Sequence, residues 1–417
     1  MPTRQYTLIN CYSDNNRGDL AIIVSTINLI QEFDSNAEIS GISTYNSSDP
    51  WYESEHKILK KYMHVFPSIY GVVNFGRRHS TILKIIRFFY DSLRMLASIL
   101  LPRNMVKYLY SKSEVSSIKQ ILNSDYIVSK GGSFICSGDD IRSQIALIRL
   151  LYIFILCIKL NKPPIILCQS IGPYSGWLVQ KLTNYVLTHC SAVVLREDVC
   201  IEKYTYIKLP DKVFLSTDIA FFAKSIDLPL DINFSEERFR IGMTIKHVDI
   251  DQSEDYLNMF VMAIEYCIQH YDAKIYVFPH VTIDNDIDNS FEVYKRLSDQ
   301  SKQSIVLLSD SYNALHLKSI YKNMDVFIGT RLHSTIFAIS EDVPSICVTY
   351  HGTKALGVFK TIKMQNYVIT DYDSEKLIEL IVKLINNKVI LKKRLSVELH
   401  KKRKELEYIF SEIFNRE

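Results

Sequence analysis

The chain has 417 residues, too many for one ordinary hydrophobic core, so two domains are expected. A hydrophobic content of 47% with 23% charged residues is ordinary for globular proteins and sets a disordered or low-complexity chain aside. Lys+Arg 49 against Asp+Glu 46 leaves a formal charge of +3, which does not suggest a nucleic-acid partner.

The opening residues hold no basic segment followed by a long apolar core, so no secretory signal is expected. Cys11, Cys136, Cys157, Cys168, Cys190, Cys200, Cys267 and Cys347 show no C-x-x-C spacing. Most lie in apolar runs and read as small buried hydrophobes of a reducing, cytoplasmic compartment; no structural zinc site is expected. No run reaches the length needed to cross a bilayer. The nearest, Leu150 to Ile158 between Arg149 and Lys159, reads as a buried helix on a sheet.

In chain order, Tyr6-Thr-Leu-Ile is a first strand. The polar loop from Ser13 to Asp19 leads into an apolar helix from Leu20 to Ile30. A loop carrying Asn16, Gly18 and Asp19 between strand and helix can cradle an anion on its N–H groups; alternatively Asp19 caps the helix. Ala37 to Ser43 is the next strand. Residues 77–112 set Arg77, Arg78, Lys84, Arg87, Arg94, Arg103, Lys107 and Lys112 among apolar residues, with Asp91 the one acid. This basic amphipathic stretch suits an anionic bilayer surface, or else covers the sheet as a helical hairpin with a solvated basic face.

Tyr126 to Ser133 reads as a strand running into Gly131 and Gly132, which permits close backbone approach to a ligand or a neighbouring domain. Ile165 to Pro173 repeats the theme, with Gln169 and Ser170 before a Gly-Pro turn. Ala192 to Leu195 ends in Arg196, and a strand from Val213 leads to Asp218. Successive strands finishing in Gly, Ser, Gln or charged residues are expected where one edge of a parallel sheet lines a cleft.

A charged bridge around residues 231–240 reads as the interdomain linker. The second half restarts with a strand from Arg240 to Lys246, a helix around Tyr256 to Gln269 and a strand from Ala273 to His280. Asp284-Asn-Asp286-Ile-Asp288 lacks the glycine and closing Glu of a calcium loop and reads as a helix start. A strand at Ile305 and a helix from Ala314 to Asn323 lead to Val326-Phe-Ile-Gly-Thr-Arg331-Leu-His333-Ser334, then Val343-Pro344 and a second apolar run. This is a strand–helix–strand unit with Arg331 and His333 at the strand's carboxyl end. Arginine there offers a fork for phosphate or carboxylate, and histidine can move a proton near neutrality. A structural carboxylate on Arg331 and a capping His333 are the plain alternative. Residues from His351 to Gly357 read as a mobile loop, and a basic helical tail begins at Ser374.

Taken together, Asn16-x-Gly18-Asp19-x-Ala21, Lys130-Gly-Gly-Ser133, Gln169-Ser-Ile-Gly-Pro173, Leu195-Arg-Glu197, Asp218-x-Ala220 and Gly329-Thr-Arg-Leu-His-Ser334 followed by Val343-Pro344 resemble the polysaccharide pyruvyl transferases. Two features depart from the family pattern: Ser133 where glycine is frequent, and residues 77–112. The resemblance implies an α/β fold of two Rossmann-like domains facing across a cleft, the glycosyltransferase-B type. The expected division is 1–228 (acceptor side, with the basic insertion at about 77–112), 238–390 (donor side) and a helical tail at 391–417.

It further implies transfer of a pyruvyl group from phosphoenolpyruvate to a sugar diol, free or on a lipid-linked precursor, giving a cyclic ketal and phosphate with no cofactor or metal. His333 is then the acid–base, and Arg331 and Arg196 anchor the donor's anionic groups. Arg196, Ser334, Lys246, Asn16, Gly18, Asp19, Gly131, Gly132, Gln169 and Ser170 contact substrate. Two other readings stand beside it. One is a glycosyltransferase using a nucleotide sugar, for which the acid near the helix after the cleft loop, Glu341, sits at the far end; the other is a catalytically silent sugar-binding subunit.

Overall fold

Runs of apolar residues form strands buried on both faces, as parallel sheets under helices require. In chain order the elements are β1 (Gln5–Cys11), α1 (Arg17–Phe33), β2 (Glu38–Ser43), β3 (His64–Phe66), α2 (Thr81–Leu100), α3 (Lys112–Asn123), β4 (Tyr126–Ser129), β5 (Gly132–Ile135), α4 (Ile141–Lys159), β6 (Ile165–Ile171), α5 (Trp177–His189), β7 (Ala192–Leu195), α6 (Val199–Lys203) and β8 (Val213–Leu215). There follow β9 (Arg240–Thr244), α7 (Ser253–Tyr271), β10 (Lys274–Val277), α8 (Asp286–Arg296), α9 (Asp299–Lys302), β11 (Ile305–Leu307), α10 (Ala314–Tyr321), β12 (Val326–Gly329), α11 (Leu332–Ile339), β13 (Ser345–Val348), α12 (Gly352–Thr361), β14 (Val368–Ile369), α13 (Ser374–Asn386) and α14 (Lys388–Phe414). This computed structural model describes residues 3–70, 81–226, 234, 237–246, 253–279, 286–308, 312–349 and 352–414. Arg77, Arg78, half of the 231–240 bridge, His280, Asp284, Tyr350 and His351 lie outside the described residues.

The chain divides into two units, one of Met1–Asp14, Ile22–Ile219 and Leu406–Glu417, the other of Asn15–Ala21 and Ala220–Glu405. The first holds a sheet ordered β3-β2-β1-β4-β6-β7-β8, with β5 also on β6. The second is ordered β11-β10-β9-β12-β13-β14. Every strand pair is parallel. Both orders run outward from a central pair, β1/β4 or β9/β12, the doubly wound arrangement whose crevice opens at the carboxyl ends of that pair. The protein is thus two parallel-sheet α/β domains of the glycosyltransferase-B type.

The tail is not a separate body, since residues up to Glu405 group with the second unit and those from Leu406 with the first. In the first unit Phe414 meets Tyr126 edge-on, with ring centroids 5.2 Å apart, and the Tyr126 hydroxyl donates to the Phe414 carbonyl at 2.6 Å.

Three expectations are corrected. Tyr126 to Ser133 is two strands, because Gly132 at φ +117° turns the backbone where a Cβ would be strained. Residues from Gly352 form a helix and not a loop: Ala355, Val358 and Phe359 fall on one helical face and are buried. Finally, α4 has the length and composition to cross a membrane, the one such helix among the described residues. Its stretch from Leu151 to Cys157 is nevertheless buried in the first unit's core.

Candidate functional site

In the second unit, β12 ends at Gly329 between β9 and β13, and α11 begins three residues later at Leu332 with Arg331 at its N-cap. A hydroxyl network ties this junction to β9. The Thr330 amide donates to Thr244 Oγ1 (3.2 Å), Thr330 Oγ1 donates to the Thr244 carbonyl (3.0 Å), and Thr244 Oγ1 lies 2.8 Å from Ser334 Oγ. Ser334 also donates to the Arg331 carbonyl at 2.7 Å and is fully buried. Ser334, expected to contact substrate, holds the turn that presents Arg331. Lys246 is fixed just past β9, its amide donating to Tyr256 Oη (2.9 Å) and Thr330 Oγ1 (2.8 Å) while its carbonyl accepts from Asn289 (3.1 Å).

Arg331 and His333 are half-buried, adjacent to the switch point. Arg331 Nη2 donates to Asp286 Oδ1 at 2.8 Å. Asp286 is buried in the first turn of α8, where a carboxylate is favoured by the helix start. This positioning carboxylate was hidden in the sequence, where it read only as part of a helix start.

Asn15–Ala21 packs within the second unit. A Cβ at Gly18 would stand 2.3 Å from His333 Nδ1 and 2.6 Å from its Cγ, so the imidazole rests against bare backbone. Gly18 thus serves His333, a partnership that loop composition alone does not reveal. Asn16 Oδ1 accepts from the Asp19 amide at 3.2 Å. Asn16 is therefore the cap of α1, and the expectation that Asp19 caps it is corrected; Asp19 lies in the first turn. Arg17, unassigned from sequence, is buried and donates to the Pro279 carbonyl.

In the first unit the strand ends build a different cluster. Arg196 is 1% exposed, donating through Nε to Ser170 Oγ (2.7 Å) and through Nη1 to Asp218 Oδ2 (2.5 Å). This guanidinium, expected from the sequence to meet a substrate anion, is paired here with a buried aspartate. Gln169 and Ser170 are fully buried, and Gln169 Nε2 donates to the Ser170 carbonyl at 2.9 Å, so both support the cluster and do not line an open face.

Gly131 and Gly132 are likewise explained by the fold. A Cβ at Gly131 would stand 2.6 Å from the carbonyl oxygens of Leu167 and Cys168, so the close approach is to strand β6, and Gly132 pairs with Gln169 across β5 and β6. Lys130, also unassigned from sequence, is buried. Desolvation pushes its ammonium down to about 7, with Cys11 opposing, Arg196 adding to the fall and Asp218 opposing. Among the described residues, Asn10 Nδ2, Gln169 Oε1 and Glu197 Oε1 are buried and have no hydrogen-bond partner.

Glu341 lies 3.7 Å from Lys318 Nζ, whose ammonium burial pushes down to about 8 and which also donates to Ser340 Oγ at 2.5 Å. That acid is occupied in the core. The eight cysteines are free thiols, all but Cys136 buried. Among the described residues no three His, Cys, Asp or Glu side chains form a metal-ligand group.

A family model described as polysaccharide pyruvyl transferase matches residues 16–352. The amylovoran biosynthesis protein AmsJ of Erwinia amylovora is 26% identical over 225 residues, 50% of this chain and 54% of that protein, so the match spans about half the relative's length. Among solved structures, a glycosyltransferase from Rickettsia africae is similar with a TM-score of 0.57 at 11% identity, covering 100% of both chains. A putative UDP-N-acetylglucosamine 2-epimerase from Listeria monocytogenes gives 0.58 at 12%, covering 100% of this chain and 99% of the other. At such identities the likeness concerns the fold.

Proposed function

Since the chain belongs to the polysaccharide pyruvyl transferase family, a family of transferases in polysaccharide biosynthesis, we propose that it moves the pyruvyl group of phosphoenolpyruvate onto a sugar diol of a surface polysaccharide or its lipid-linked precursor. The observation that carries this reading is the Arg331–His333 pair: a guanidinium held by Asp286 and an imidazole seated on Gly18, two residues apart at the carboxyl end of β12. The similarity to a protein named for amylovoran biosynthesis supports a polysaccharide acceptor.

In this mechanism Arg331 and the first N–H groups of α11 hold the donor's anionic groups. His333 delivers a proton to C3 of the enol, which makes C2 electrophilic, and one sugar hydroxyl adds there. The proton of that hydroxyl returns to His333. Phosphate then leaves C2 and the second hydroxyl attacks, its proton departing with phosphate, so that ketal and inorganic phosphate balance donor and diol. Acid–base help of this kind is worth roughly 10²–10⁴ in rate.

Calorimetric titration of phosphoenolpyruvate into wild type, Arg331→Ala and His333→Ala, beside a panel of nucleotide sugars, tests the reading. Binding that weakens at least tenfold in Arg331→Ala and survives in His333→Ala is the expected result. A response confined to a nucleotide sugar overturns it.

A further inference from the structure

Helix α2 is built inside out. Its inward face carries the charge: Arg94 donates to both Glu114 oxygens at 2.9 Å and to Asp91 at 3.0 Å, and Arg149 lies 3.8 Å from Asp91. Ser98 Oγ is 2.6 Å from the Tyr152 hydroxyl, and Lys159 donates to the Ile99 and Leu101 carbonyls. The outward face is apolar. Ile86, Phe89, Leu93, Leu96 and Leu100 recur at helical spacing and are 53–74% exposed, with Tyr90 beside them at 61%. Scattered exposed hydrophobes need no explanation, but a continuous stripe of large ones does.

The charge around the stripe selects its occupant. Arg103, Lys107 and Lys112 continue the surface and are exposed, as are Met105 and Tyr108. Asp91 is the only acid among residues 86–112, and at 3% exposure it is spent inside. The outer surface of this segment therefore offers hydrocarbon, phenol and cations with the neutral Asn104 and Ser111, and no acid. A second copy of the chain would bring the same cations face to face. An anionic bilayer supplies the opposite charge, an apolar layer for the stripe and an interfacial zone for the tyrosines.

We propose that the outer face of α2, with the basic segment after it, docks the protein on an anionic membrane surface. The pairs Asp91–Arg149, Ser98–Tyr152 and Ile99–Lys159 show α2 running parallel to α4. Since α4 starts at the carboxyl end of the first unit's sheet, so does α2. Docking through this face lays α2 along the bilayer and brings the first unit's sheet, its carboxyl edge included, alongside the surface on which a lipid-linked sugar would be carried; this last step alone rests on the proposed function.

Flotation of the full chain with phosphatidylcholine vesicles, with and without phosphatidylglycerol, tests docking in the absence of donor and acceptor. Wild type is expected to float with the anionic vesicles. Arg103→Gln and Lys107→Gln each lower partitioning roughly fivefold, as expected for a cation near a charged surface. Phe89→Ser with Leu93→Ser lowers it at least tenfold while circular dichroism and melting temperature stay at wild-type values, because neither side chain is in the core. Failure of the wild type to float overturns the proposal. So does flotation that both sets of variants leave unchanged, or a dimer in ultracentrifugation that Phe89→Ser with Leu93→Ser dissolves without any vesicle binding. Phosphoenolpyruvate titration is read separately, so either idea can fail alone.

Discussion

Alanine at position 18 probes the seat of the imidazole directly. The backbone at Gly18 lies outside the left-handed region, so the substitution is conformationally permitted and the only obstacle is the ring. The added methyl would stand 2.3, 2.6 and 2.7 Å from His333 Nδ1, Cγ and Cε1. Ordinary contact needs about 3.5 Å, so the ring edge has to retreat by about 1 Å. Rotation about χ2 does not clear Cγ, and the displacement must come from χ1 or from the start of α11. Overpacking of this kind costs about 1–3 kcal/mol. Replacing glycine where the backbone allows it returns about 0.4–1 kcal/mol through the unfolded chain.

Gly18→Ala should therefore destabilise the second unit by about 1–2 kcal/mol in wild type, yet stabilise it slightly in a His333→Ala background, where the ring is gone. Calorimetric melting of the four proteins gives the coupling energy. If Gly18→Ala shifts both backgrounds equally within about 0.5 kcal/mol, the ring does not rest on Gly18. Under the proposed function, a ring displaced by about 1 Å is also enough to cost on the order of 10² in rate, so phosphate release should fall far more than phosphoenolpyruvate affinity.

The buried pair in the first unit predicts non-additivity: Asp218→Ala leaves Arg196 charged and uncompensated and should cost about 3–5 kcal/mol, whereas Arg196→Met with Asp218→Leu should cost less than either single change. Urea unfolding followed by tryptophan fluorescence reads this, because Trp51 and Trp177 both lie in that unit. For Lys130, the folded value is pushed down to about 7 from 10.5, so the unfolded chain binds more protons between those limits. Wild-type stability should rise with pH across that window, and the advantage of Lys130→Met in melting temperature, full at and below about pH 7, should close towards pH 10. Asn16→Ala should cost about 1 kcal/mol by uncapping α1, with Asn16→Ser recovering most of that loss, as thermal melts would show.

Strands were legible in the chain because parallel sheets need uninterrupted apolar runs, and β1, β6, β7, β9, β12 and β13 all announce themselves so. Strands alternating with helices made parallel sheets legible, and the family resemblance implied the two Rossmann-like domains. Helix α12 was not legible: Gly352 and Gly357 signal a loop locally, while the three apolar residues that bury it are paid attention only when their helical spacing is counted across both glycines. The break between β4 and β5 depends on one backbone angle. At the site, residue type and place pointed to Arg331 and His333, but the contacts of Gly18 and Asp286 come from segments distant in the chain, and no local pattern records them.

Arg196 and Arg331 show why. In the sequence they are alike, each closing an apolar strand. What separates them is the carboxylate each meets. Asp218 stands 22 residues downstream, past the end of β8, and encloses Arg196 so that its side chain is only 2% exposed. Asp286 stands 45 residues upstream at the start of α8, and it holds Arg331 by one terminal nitrogen with the side chain 18% exposed. A guanidinium sealed with its counter-ion in a dry interior is neutralised and cannot be reached by a solvated anion without breaking a pair that is expensive to break. Arg331 is held in orientation by Asp286 while its side chain still meets solvent at 18% exposure. Under the proposed function, donor anchoring therefore falls to Arg331 and the start of α11 in the second unit. The polar cluster of Lys130, Ser170, Arg196 and Asp218 instead fixes the strand ends from which the first unit would present the acceptor.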